Sequence, residues 1–569
     1  MKKVVFFLFL IFVSFCLNGQ QKNKAIYEIH KSAIGHKAMV VSAHPLASKV
    51  GIAILKAGGN AVDAAIAVHF ALAVVYPQAG NIGGGGFMLY RNVKGEVTAL
   101  DYREMAPQLS SKDMFLDDAG NPIANLSVLG CLSAGVPGTV DGMYEAFTKH
   151  SKLKNWRRLI QPAIRLALKG FPITKQEADN LNDLKSDFEK YNTKLPVFVK
   201  KRSWKPGDVL VQKDLAATLR LIRDKGRNGF YEGPVAEKIV EQMKAANGII
   251  TKSDLKSYRS IWRTALNTKY RGYDIIGMPP PSSGGIALFQ MLGILENSNI
   301  AQAGFHSPEA VHLMIEAERR VYADRATHLG DPDFYSVPVA DLLNEKYLLS
   351  RRESIDTSRA SKSSEINAAQ FKKYESEQTT HFSIVDKYGN AVSCTTTLNN
   401  SYGSKTVVAN AGFLLNDEMD DFSIKPGVPN MYGLIGGTAN AIVPKKRMLS
   451  SMTPTIISKD GKLFMVLGSP GGSTIITTVF QSIVNVIDFK MDAKDATFAP
   501  RFHQQWIPEH TFIEREGKLP EHTIKILEAK GHTFKERGFI GRLEMILVKS
   551  DGTLEGAADK RGDDHAEGY

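Results

Sequence analysis

The chain has 569 residues, of which 43% are hydrophobic and 23% charged, and this is the composition of an ordinary globular protein. Its formal net charge is +12, but the Lys and Arg residues are scattered along the chain instead of being gathered in blocks. The charge therefore indicates a solvated surface, and it argues against a nucleic-acid-binding protein.

Residues 1–19 have the layout of a secretory signal peptide. The basic start MKK precedes a largely apolar run of 14 residues, from Val4 to Leu17. Because that run is short for a transmembrane helix, we expect no stable membrane span and an exported protein, either periplasmic or secreted. Cys16 offers a lipid anchor as an alternative, but Phe15 stands where a small residue is expected.

Beyond this leader only two cysteines remain, Cys131 and Cys394. Two cysteines so far apart do not form a disulfide framework, so we expect two separate buried thiols. The sequence has no C-x-x-C or H-E-x-x-H spacing, and its 14 histidines are dispersed. No metal ion and no cofactor are predicted.

The first predicted elements are two helices followed by a hairpin. Residues 45–76 are rich in Ala, Val and Leu and break at Gly58-Gly59, and Asn60 can cap the second helix, which is apolar nearly all round and therefore buried. The run GNIGGGGF, residues 80–87, lacks the Lys-Ser/Thr of a P-loop and the third glycine of a dinucleotide fingerprint. It predicts a tight turn with close backbone contacts, and the alternating residues after it predict a hairpin that turns near NVKGE.

The middle of the chain is predicted to be mainly helical. Residues 150–270 carry helical patterns, and a long helix follows, with Ser307 as its N-cap and Gly330 just beyond its end. The stretch 358–378 is polar and weakly patterned. We interpret it as an exposed or mobile segment that leads directly into the next strand.

After residue 379 the pattern changes to strands. HFSIVD and AVSCTTTLN flank the turn KYGN, and TPTIISK and KLFMVLG flank KDGK, so two hairpins are predicted. GSPGGS, residues 468–473, follows the second hairpin as either a plain turn or a concavity of backbone N–H groups that binds an oxyanion. Recurring helices with antiparallel hairpins indicate a layered α/β or α+β domain.

Hydroxyl groups crowd around the first of these hairpins. Thr379 and Thr380 begin it, and residues 395–397 are three threonines in a row. A threonine hydroxyl becomes a good nucleophile when a base is adjacent, and an N-terminal Thr provides that base as its own α-amino group. An internal Thr obtains this arrangement only if the bond before it is cut. From the residues alone, a solvated Thr-rich strand and a self-released nucleophile both remain open.

Motifs along nearly the whole chain after the leader resemble one family in the same order. GNIGGGGFM, LDYREMAP, MPPPSSGG, QTTHFSIVDKYGNAVSCTTTLN, LLNDEMDDFSIKPGVPNMYG, LSSMTPTII, GSPGGS and APRFHQQW together are similar to the γ-glutamyltranspeptidases (glutathione hydrolases). The resemblance implies an α+β fold, the four-layer αββα sandwich of N-terminal-nucleophile hydrolases. It also implies a precursor that cuts itself into a large subunit, 20–378, and a small catalytic subunit, 379–569, which stay intertwined as a heterodimer.

Matched residue by residue, the resemblance implies the following site. Its catalytic members are the nucleophile Thr379, its hydrogen-bonding partner Thr397, and the oxyanion donors Gly471 and Gly472. Its substrate-binding members are Arg103, Ser450 and Ser451 for the α-carboxylate, Asp421, Asn399 and Glu418 for the α-ammonium, and Tyr432 in a lid loop.

The implied activity is cleavage of glutathione and other γ-glutamyl amides through a γ-glutamyl-threonine acyl-enzyme, with water, an amino acid or a dipeptide as acceptor. One alternative is a glutaryl (cephalosporin-type) acylase of the same superfamily. Its substrates lack the α-amine, so Asp421, Asn399 and Glu418 argue against it. A second alternative is an exported glutathione-binding protein without catalysis, which would have no reason to keep Thr379 and Thr397.

Overall fold

The computed structural model describes residues 26–366 and 379–569, so the predicted signal peptide lies outside the described residues. The strands are β1 (Ser32–Gly35), β2 (Met39–Ser42), β3 (Gly85–Arg91), β4 (Val97–Asp101), β5 (Phe171–Pro172), β6 (Val209–Leu210), β7 (Ile261–Arg263), β8 (Leu266–Tyr270), β9 (Tyr273–Gly277), β10 (Thr380–Val385), β11 (Ala391–Thr397), β12 (Thr455–Lys459), β13 (Lys462–Gly468), β14 (Phe502–His503), β15 (Thr511–Glu514), β16 (Phe534–Arg537), β17 (Glu544–Val548), β18 (Leu554–Ala558) and β19 (His565–Gly568).

The helices are α1 (Pro45–Lys56), α2 (Ala61–Val75), α3 (Thr139–His150), α4 (Trp156–Lys169), α5 (Lys175–Asp183), α6 (Lys185–Lys190), α7 (Lys213–Lys225), α8 (Asn228–Tyr231), α9 (Gly233–Ala245), α10 (Lys252–Ser257), α11 (Gly284–Leu295), α12 (Ile300–Ala303), α13 (Pro308–His328), α14 (Val339–Leu342), α15 (Glu345–Glu353), α16 (Thr474–Ile487), α17 (Ala493–Phe498) and α18 (Glu521–Ala529). Within the described ranges, none of them is long and apolar enough to cross a bilayer.

Two seven-stranded antiparallel sheets form the centre of the molecule. Sheet I has the strand order β19-β2-β10-β11-β3-β4-β7, and sheet II has the order β1-β18-β17-β13-β12-β9-β8. Strands β10 and β11 of sheet I lie against β13 and β17 of sheet II. The parts of the chain before and after residue 378 both contribute strands to both sheets, so the two parts interlock.

The core fills three spaces between these layers. Apolar residues such as Val41 and Leu89 of sheet I meet Ile456 and Val466 of sheet II in the central space. Helices α1 and α2 pack on the outer face of sheet I, with α4 against α2, and helices α11 and α16 pack on the outer face of sheet II, with α13 against α11. This is the αββα sandwich that the resemblance implied, and the fold prediction is confirmed.

Most predicted elements are confirmed because strong local signals define them. Asn60 forms a capping box with Asp63 at the start of the fully buried α2. Ser307 caps α13 through its side-chain oxygen, which accepts from the Ala310 amide. The pairs β3–β4, β10–β11 and β12–β13 are the three predicted hairpins. Cys131 and Cys394 are buried and free, as predicted.

The polar segment that we expected to be exposed is anchored in its described part. Ser361 and Ser363 are buried, and the Ser363 amide donates to the Glu509 carboxylate at 3.0 Å. The Ser363 hydroxyl also donates to the Trp506 carbonyl. The prediction holds in part, because Ser358, Arg359, Lys362, Ser364 and Glu365 are exposed. It is wrong for Ser361 and Ser363, where specific hydrogen bonds satisfy the polar groups and allow burial. Residues 367–378 lie outside the described part of the chain.

The glycine run before β3 is a close-packed turn, as predicted. A Cβ added to Gly83, Gly84 or Gly86 would lie between 2.1 and 2.3 Å from a backbone carbonyl oxygen of another strand or loop. At Gly84 that oxygen belongs to Thr397, the last residue of β11. The run therefore lets backbones approach each other next to the threonine cluster.

We expect Gly84→Ala to destabilise the fold by about 3 kcal/mol, because the backbone at residue 84 and the Thr397 carbonyl must move apart to make room for the added methyl group. Gly538→Ala is the matched control, since apart from its two chain neighbours no atom of residues 26–366 or 379–569 lies within 4 Å of a Cβ at Gly538. Urea unfolding measures the free energy of unfolding of each variant. Equal stabilities of the two variants would contradict this explanation of the glycine run.

Candidate functional site

Strand pairing brings Thr379 and Thr397 together. Thr380 in β10 pairs with Thr396 in β11, so the residue before β10 stands opposite the last residue of β11. The Oγ1 atoms of Thr379 and Thr397 lie 3.5 Å apart, and both residues are buried. The Asn399 amide donates to Thr397 Oγ1 at 2.8 Å, which leaves the Thr397 hydroxyl hydrogen available toward Thr379.

Two of the other three hydroxyls of this cluster have separate partners. Thr395 Oγ1 lies 2.8 Å from Nδ1 of His381, and Thr396 Oγ1 donates to the Gly85 carbonyl at 2.8 Å. The buried Thr380 Oγ1 has no hydrogen-bond partner among the described residues. Thr395 and Thr396 therefore serve the packing of the sheet, and only Thr397 faces Thr379.

Arg103 lies buried at the other side of the site. Its Nη1 donates to the Glu418 carboxylate and its Nη2 to the Asp421 carboxylate. It also donates to the carbonyls of Met448 and Leu449 at 3.3 and 3.2 Å. Burial alone would lower the pKa of Arg103, but the two carboxylates outweigh burial and raise it, so the guanidinium stays charged.

Three carboxyl groups surround this one guanidinium, because Glu104 lies 3.4 Å from Arg103 Nη1. Burial raises the pKa of Glu104, Glu418 and Asp421, against the opposing effect of Arg103. A pocket with an excess of buried carboxyl groups and one forked guanidinium suits a ligand that carries both an ammonium and a carboxylate group.

Ser450 and Ser451 contribute hydroxyls between Arg103 and the threonines. Ser450 Oγ accepts from the Met452 amide at 3.1 Å, and Ser451 Oγ accepts from Nη2 of Arg325 at 3.1 Å. Arg325 is itself fixed by Nε, which donates to Ser283 Oγ at 2.9 Å. Both predicted serines therefore have their hydroxyl oxygens oriented by donors.

Gly471 and Gly472 connect β13 to the N-terminus of α16. Their φ angles are 137° and 54°, values that favour glycine. Within the described ranges neither amide N–H donates a hydrogen bond to another residue. Two free amides at the positive end of a helix dipole are suited to bind an oxyanion.

Tyr432 closes the site from above. Its hydroxyl donates to the Asn399 carbonyl at 2.5 Å, and its ring covers Gly472, where an added Cβ would come within 2.7 Å of the Tyr432 Cδ1 atom. The Asn399 side-chain Nδ2 donates to the Asp417 carbonyl at 3.0 Å. Tyr432 is buried, so the segment around it lies in a closed position.

One cavity of about 20 Å³ joins most of the predicted residues, and it is room for little more than one water molecule. The predicted residues that line it are Arg103, Thr379, Thr397, Asn399, Asp421, Tyr432, Ser450, Ser451 and Gly472. Glu418 contacts Arg103 directly, and Gly471 faces a different cavity of about 290 Å³ on the other side of the glycine loop. A substrate of amino-acid size therefore requires the Tyr432 segment to move.

Another cavity and one histidine cluster lie elsewhere among the described residues. A cavity of about 440 Å³ beside α12 and α13 is lined mainly by apolar atoms. Among the described residues, His30, His565 and Glu567 could present three ligand atoms to a metal ion. However, Nδ1 of His565 accepts from the His30 amide at 2.9 Å and its Nε2 lies 2.7 Å from Glu567, so both ring nitrogens are engaged. The absence of a metal or cofactor requirement stays a prediction.

Comparisons with known proteins agree with this arrangement. The γ-glutamyltranspeptidase family pattern matches residues 47–569. The chain belongs to this family. It is 49% identical over 536 residues to the glutathione hydrolase proenzyme of Escherichia coli, covering 94% of this chain and 92% of that protein.

Solved structures support the fold assignment. The γ-glutamyltranspeptidase of Helicobacter pylori is 44% identical, with a TM-score of 0.57, and the match covers 62% of this chain and 99% of that one. The cephalosporin acylase of Bacillus halodurans is 25% identical, with a TM-score of 0.83 over 97% of this chain and 99% of that one. The γ-glutamyltranspeptidase structure is thus closer in sequence, and both support the N-terminal-nucleophile hydrolase fold.

Sequence reasoning missed several residues of this γ-glutamyltranspeptidase-family site. Leu434, Met452 and Ile475 also line the small cavity. Asn81 donates from Nδ2 to the Thr397 carbonyl at 2.8 Å, and its Oδ1 accepts from the Gly84 amide at 3.0 Å. An Asn placed just before a glycine turn is a weak signal of such a role, and nothing local marks the other three.

The buried carboxyl cluster predicts a pH dependence of stability. Burial raises the pKa of Glu104 to about 8, although Arg103 opposes it. Because the folded state binds this proton more tightly, the Glu104 contribution to stability is complete below about pH 4.5 and is lost as pH rises through about 8. Glu104→Gln removes that titration. From pH 5 to pH 8, wild type should therefore lose roughly 3 to 4 kcal/mol relative to the variant.

Urea unfolding at both pH values measures this difference. Glu516→Gln is the control because Glu516 is exposed, and its pH dependence should follow that of wild type. Parallel pH profiles for wild type and Glu104→Gln would show that Glu104 does not hold the extra proton.

Proposed function

We propose that the protein is a self-processing γ-glutamyl hydrolase and transferase, which cleaves glutathione and other γ-glutamyl amides. The observation that carries this proposal is the shared cavity. It has a pair of hydroxyls, Thr379 and Thr397, at one side and the Arg103–Asp421 ion pair at the other. Amide acyl transfer needs a nucleophile and an oxyanion site, and a γ-glutamyl group needs both charges.

Processing comes first in this mechanism. Thr379 Oγ attacks the carbonyl carbon of Gln378, the peptide C–N bond breaks, and the Thr379 nitrogen takes up a proton as it becomes an amine. Water then hydrolyses the resulting ester, which returns the hydroxyl and leaves a carboxylate on Gln378. Thr397, within hydrogen-bonding reach of Thr379 Oγ, assists by orienting that hydroxyl.

In turnover, the free α-amine of Thr379 acts as the base for its own hydroxyl. Thr379 Oγ bonds to the γ-carbonyl carbon of the donor, while the oxyanion accepts from the amides of Gly471 and Gly472. The protonated amine gives its proton to the leaving amine as the C–N bond breaks. Water then yields glutamate, or an amino acid or dipeptide yields a new γ-glutamyl product.

Substrate charges would replace charges that now pair within the protein. The guanidinium of Arg103 forks onto Glu418 and Asp421 in the closed site. A bound γ-glutamyl group would place its α-carboxylate on Arg103 with Ser450 and Ser451. Its α-ammonium would lie between Asp421, Glu418 and Asn399. Because every buried charge then keeps a partner, the exchange avoids an unpaired ion.

We further propose that the mature protein is a heterodimer of residues 20–378 and 379–569. The two parts share both sheets, so they remain associated after the cut. Residues 1–19 would direct export to the periplasm or the medium, with a lipid anchor at Cys16 as the less favoured route. The partners are small molecules, namely γ-glutamyl donors and amino-acid or dipeptide acceptors, without nucleic acid.

The nucleophile assignment is tested by Thr379→Ala, which should leave an uncut, inactive chain because no hydroxyl remains to attack. Thr380→Ala is the matched control, since its neighbouring buried hydroxyl has no partner among the described residues, and it should still be cut and active. Denaturing gels detect the cleavage and N-terminal sequencing locates it. The small fragment of wild type should begin TTHFSIVD. Normal cleavage in Thr379→Ala would refute the assignment.

A glutaryl acylase is the second candidate, because its superfamily shares this fold. Asp421→Asn separates the two, since only a γ-glutamyl donor has the α-ammonium that Asp421 would bind. We expect kcat/KM for a γ-glutamyl anilide to fall about 100-fold in Asp421→Asn, with kcat/KM for a glutaryl anilide nearly unchanged. A wild-type preference for the glutaryl anilide would support the acylase instead.

A further inference from the structure

Gln505 contacts the closing segment, which consists of the residues around Tyr432 and Gly433 that cover the site. It follows β14 in the sequence FHQQW and is buried. Its side-chain Nε2 donates to the Gly433 carbonyl at 3.1 Å and to the Tyr432 carbonyl at 3.3 Å. One amide group therefore holds two consecutive backbone carbonyls of the closing segment.

The other end of the Gln505 amide is fixed by His503. Gln505 Oε1 lies 2.8 Å from Nε2 of His503, and Nδ1 of His503 lies 2.9 Å from Thr477 Oγ1. Since Nε2 of Gln505 already donates to carbonyls, its Oε1 must accept, and His503 must carry its hydrogen on Nε2. Burial lowers the pKa of His503 to about 3, so the ring is neutral and Nδ1 accepts from Thr477.

This chain of hydrogen bonds ends on the helix that follows the oxyanion glycines. Thr477 belongs to α16, and the N-cap of α16, Ser473, also places its Oγ 3.3 Å from Nε2 of His503. On the opposite side the Tyr432 ring covers Gly472. The closing segment is thus tied to the oxyanion loop both by its side chain and by its backbone.

We propose that Gln505 is a positioning residue that latches the Tyr432 segment over the acyl-enzyme, with His503 orienting its amide, and that this latch favours hydrolysis over transfer. The inference rests on the proposed function. In the closed state the cavity holds little more than one water molecule. Water therefore reaches the acyl group in the closed state, whereas a dipeptide acceptor needs the segment to be released from its carbonyl contacts.

Gln505→Glu tests the latch with almost no change in volume. The carboxylate keeps an oxygen for the His503 Nε2–H, but it places an oxygen where the amide donated to the two carbonyls. The matched control is Gln504→Glu, because the buried neighbour Gln504 donates from Nε2 to the Glu509 carbonyl at 3.0 Å, away from the closing segment.

The measurement is the ratio of transfer to hydrolysis, with a γ-glutamyl anilide as donor and the dipeptide Gly-Gly as acceptor. We expect the ratio to rise about fivefold in Gln505→Glu and to stay at the wild-type value in Gln504→Glu. The ratio does not depend on the amount of folded enzyme, so lost stability alone does not move it. Both variants should still be cut before Thr379.

An unchanged or lower ratio in Gln505→Glu, or an equal rise in Gln504→Glu, would overturn the latch. If Gln505→Glu does not accumulate as folded protein, Gln505→Met removes the same two donations and is judged by the same ratio. A wild-type chain without turnover of the donor would refute the proposed function, and the latch with it. Turnover by wild type with no change in the variant would refute the latch alone.

Discussion

The register between β10 and β11 is the constraint on which the site depends. It pairs Thr380 with Thr396, so Thr379 stands opposite Thr397 with their hydroxyls 3.5 Å apart. A slip of one residue would turn one of these side chains to the other face of the sheet. Neighbouring strands β2 and β3 and burial on both faces hold this register. The proposed cut after Gln378 would therefore release a nucleophile that is already in position.

Charge is the second constraint, and it explains why the site is closed. Arg103 is buried and is compensated within the protein by Glu418 and Asp421. An unpaired guanidinium in this position would carry a large desolvation cost. The closed state thus keeps these groups paired with each other, and in the function that we propose a γ-glutamyl ligand would exchange those pairs for its own charges. Tyr432 and Gln505 hold the segment that separates the two states.

Local signals made much of the fold predictable. The capped helices α2 and α13 and the three hairpins follow from periodicity, caps and turns, and the ordered motifs indicated the layered sandwich. The burial of Ser361 and Ser363 was not predictable, because it depends on Glu509 and Trp506, which lie far along the chain. In polar segments, tertiary hydrogen bonds decide which residues are buried. Such bonds leave no periodic pattern in the sequence from which they could be predicted.

The candidate site was likewise predictable from the sequence only in part. Its chemistry could be matched motif by motif, but the contact of Arg103 with Asp421 joins residues more than 300 positions apart. Glu104 was part of a quoted motif and still went unassigned, because only the structure reveals three carboxyl groups around one guanidinium. Gln505 was missed for a similar reason, since its partners are backbone carbonyls of a separate loop.

The central claim is that Thr379 carries the γ-glutamyl group during turnover. Intact-mass spectrometry of the two fragments, quenched during turnover of a γ-glutamyl donor, tests it directly. The account predicts an adduct of one γ-glutamyl group on the fragment 379–569, which peptide fragmentation places on Thr379. An adduct on any other residue, or turnover in which no adduct forms on either fragment, would contradict it.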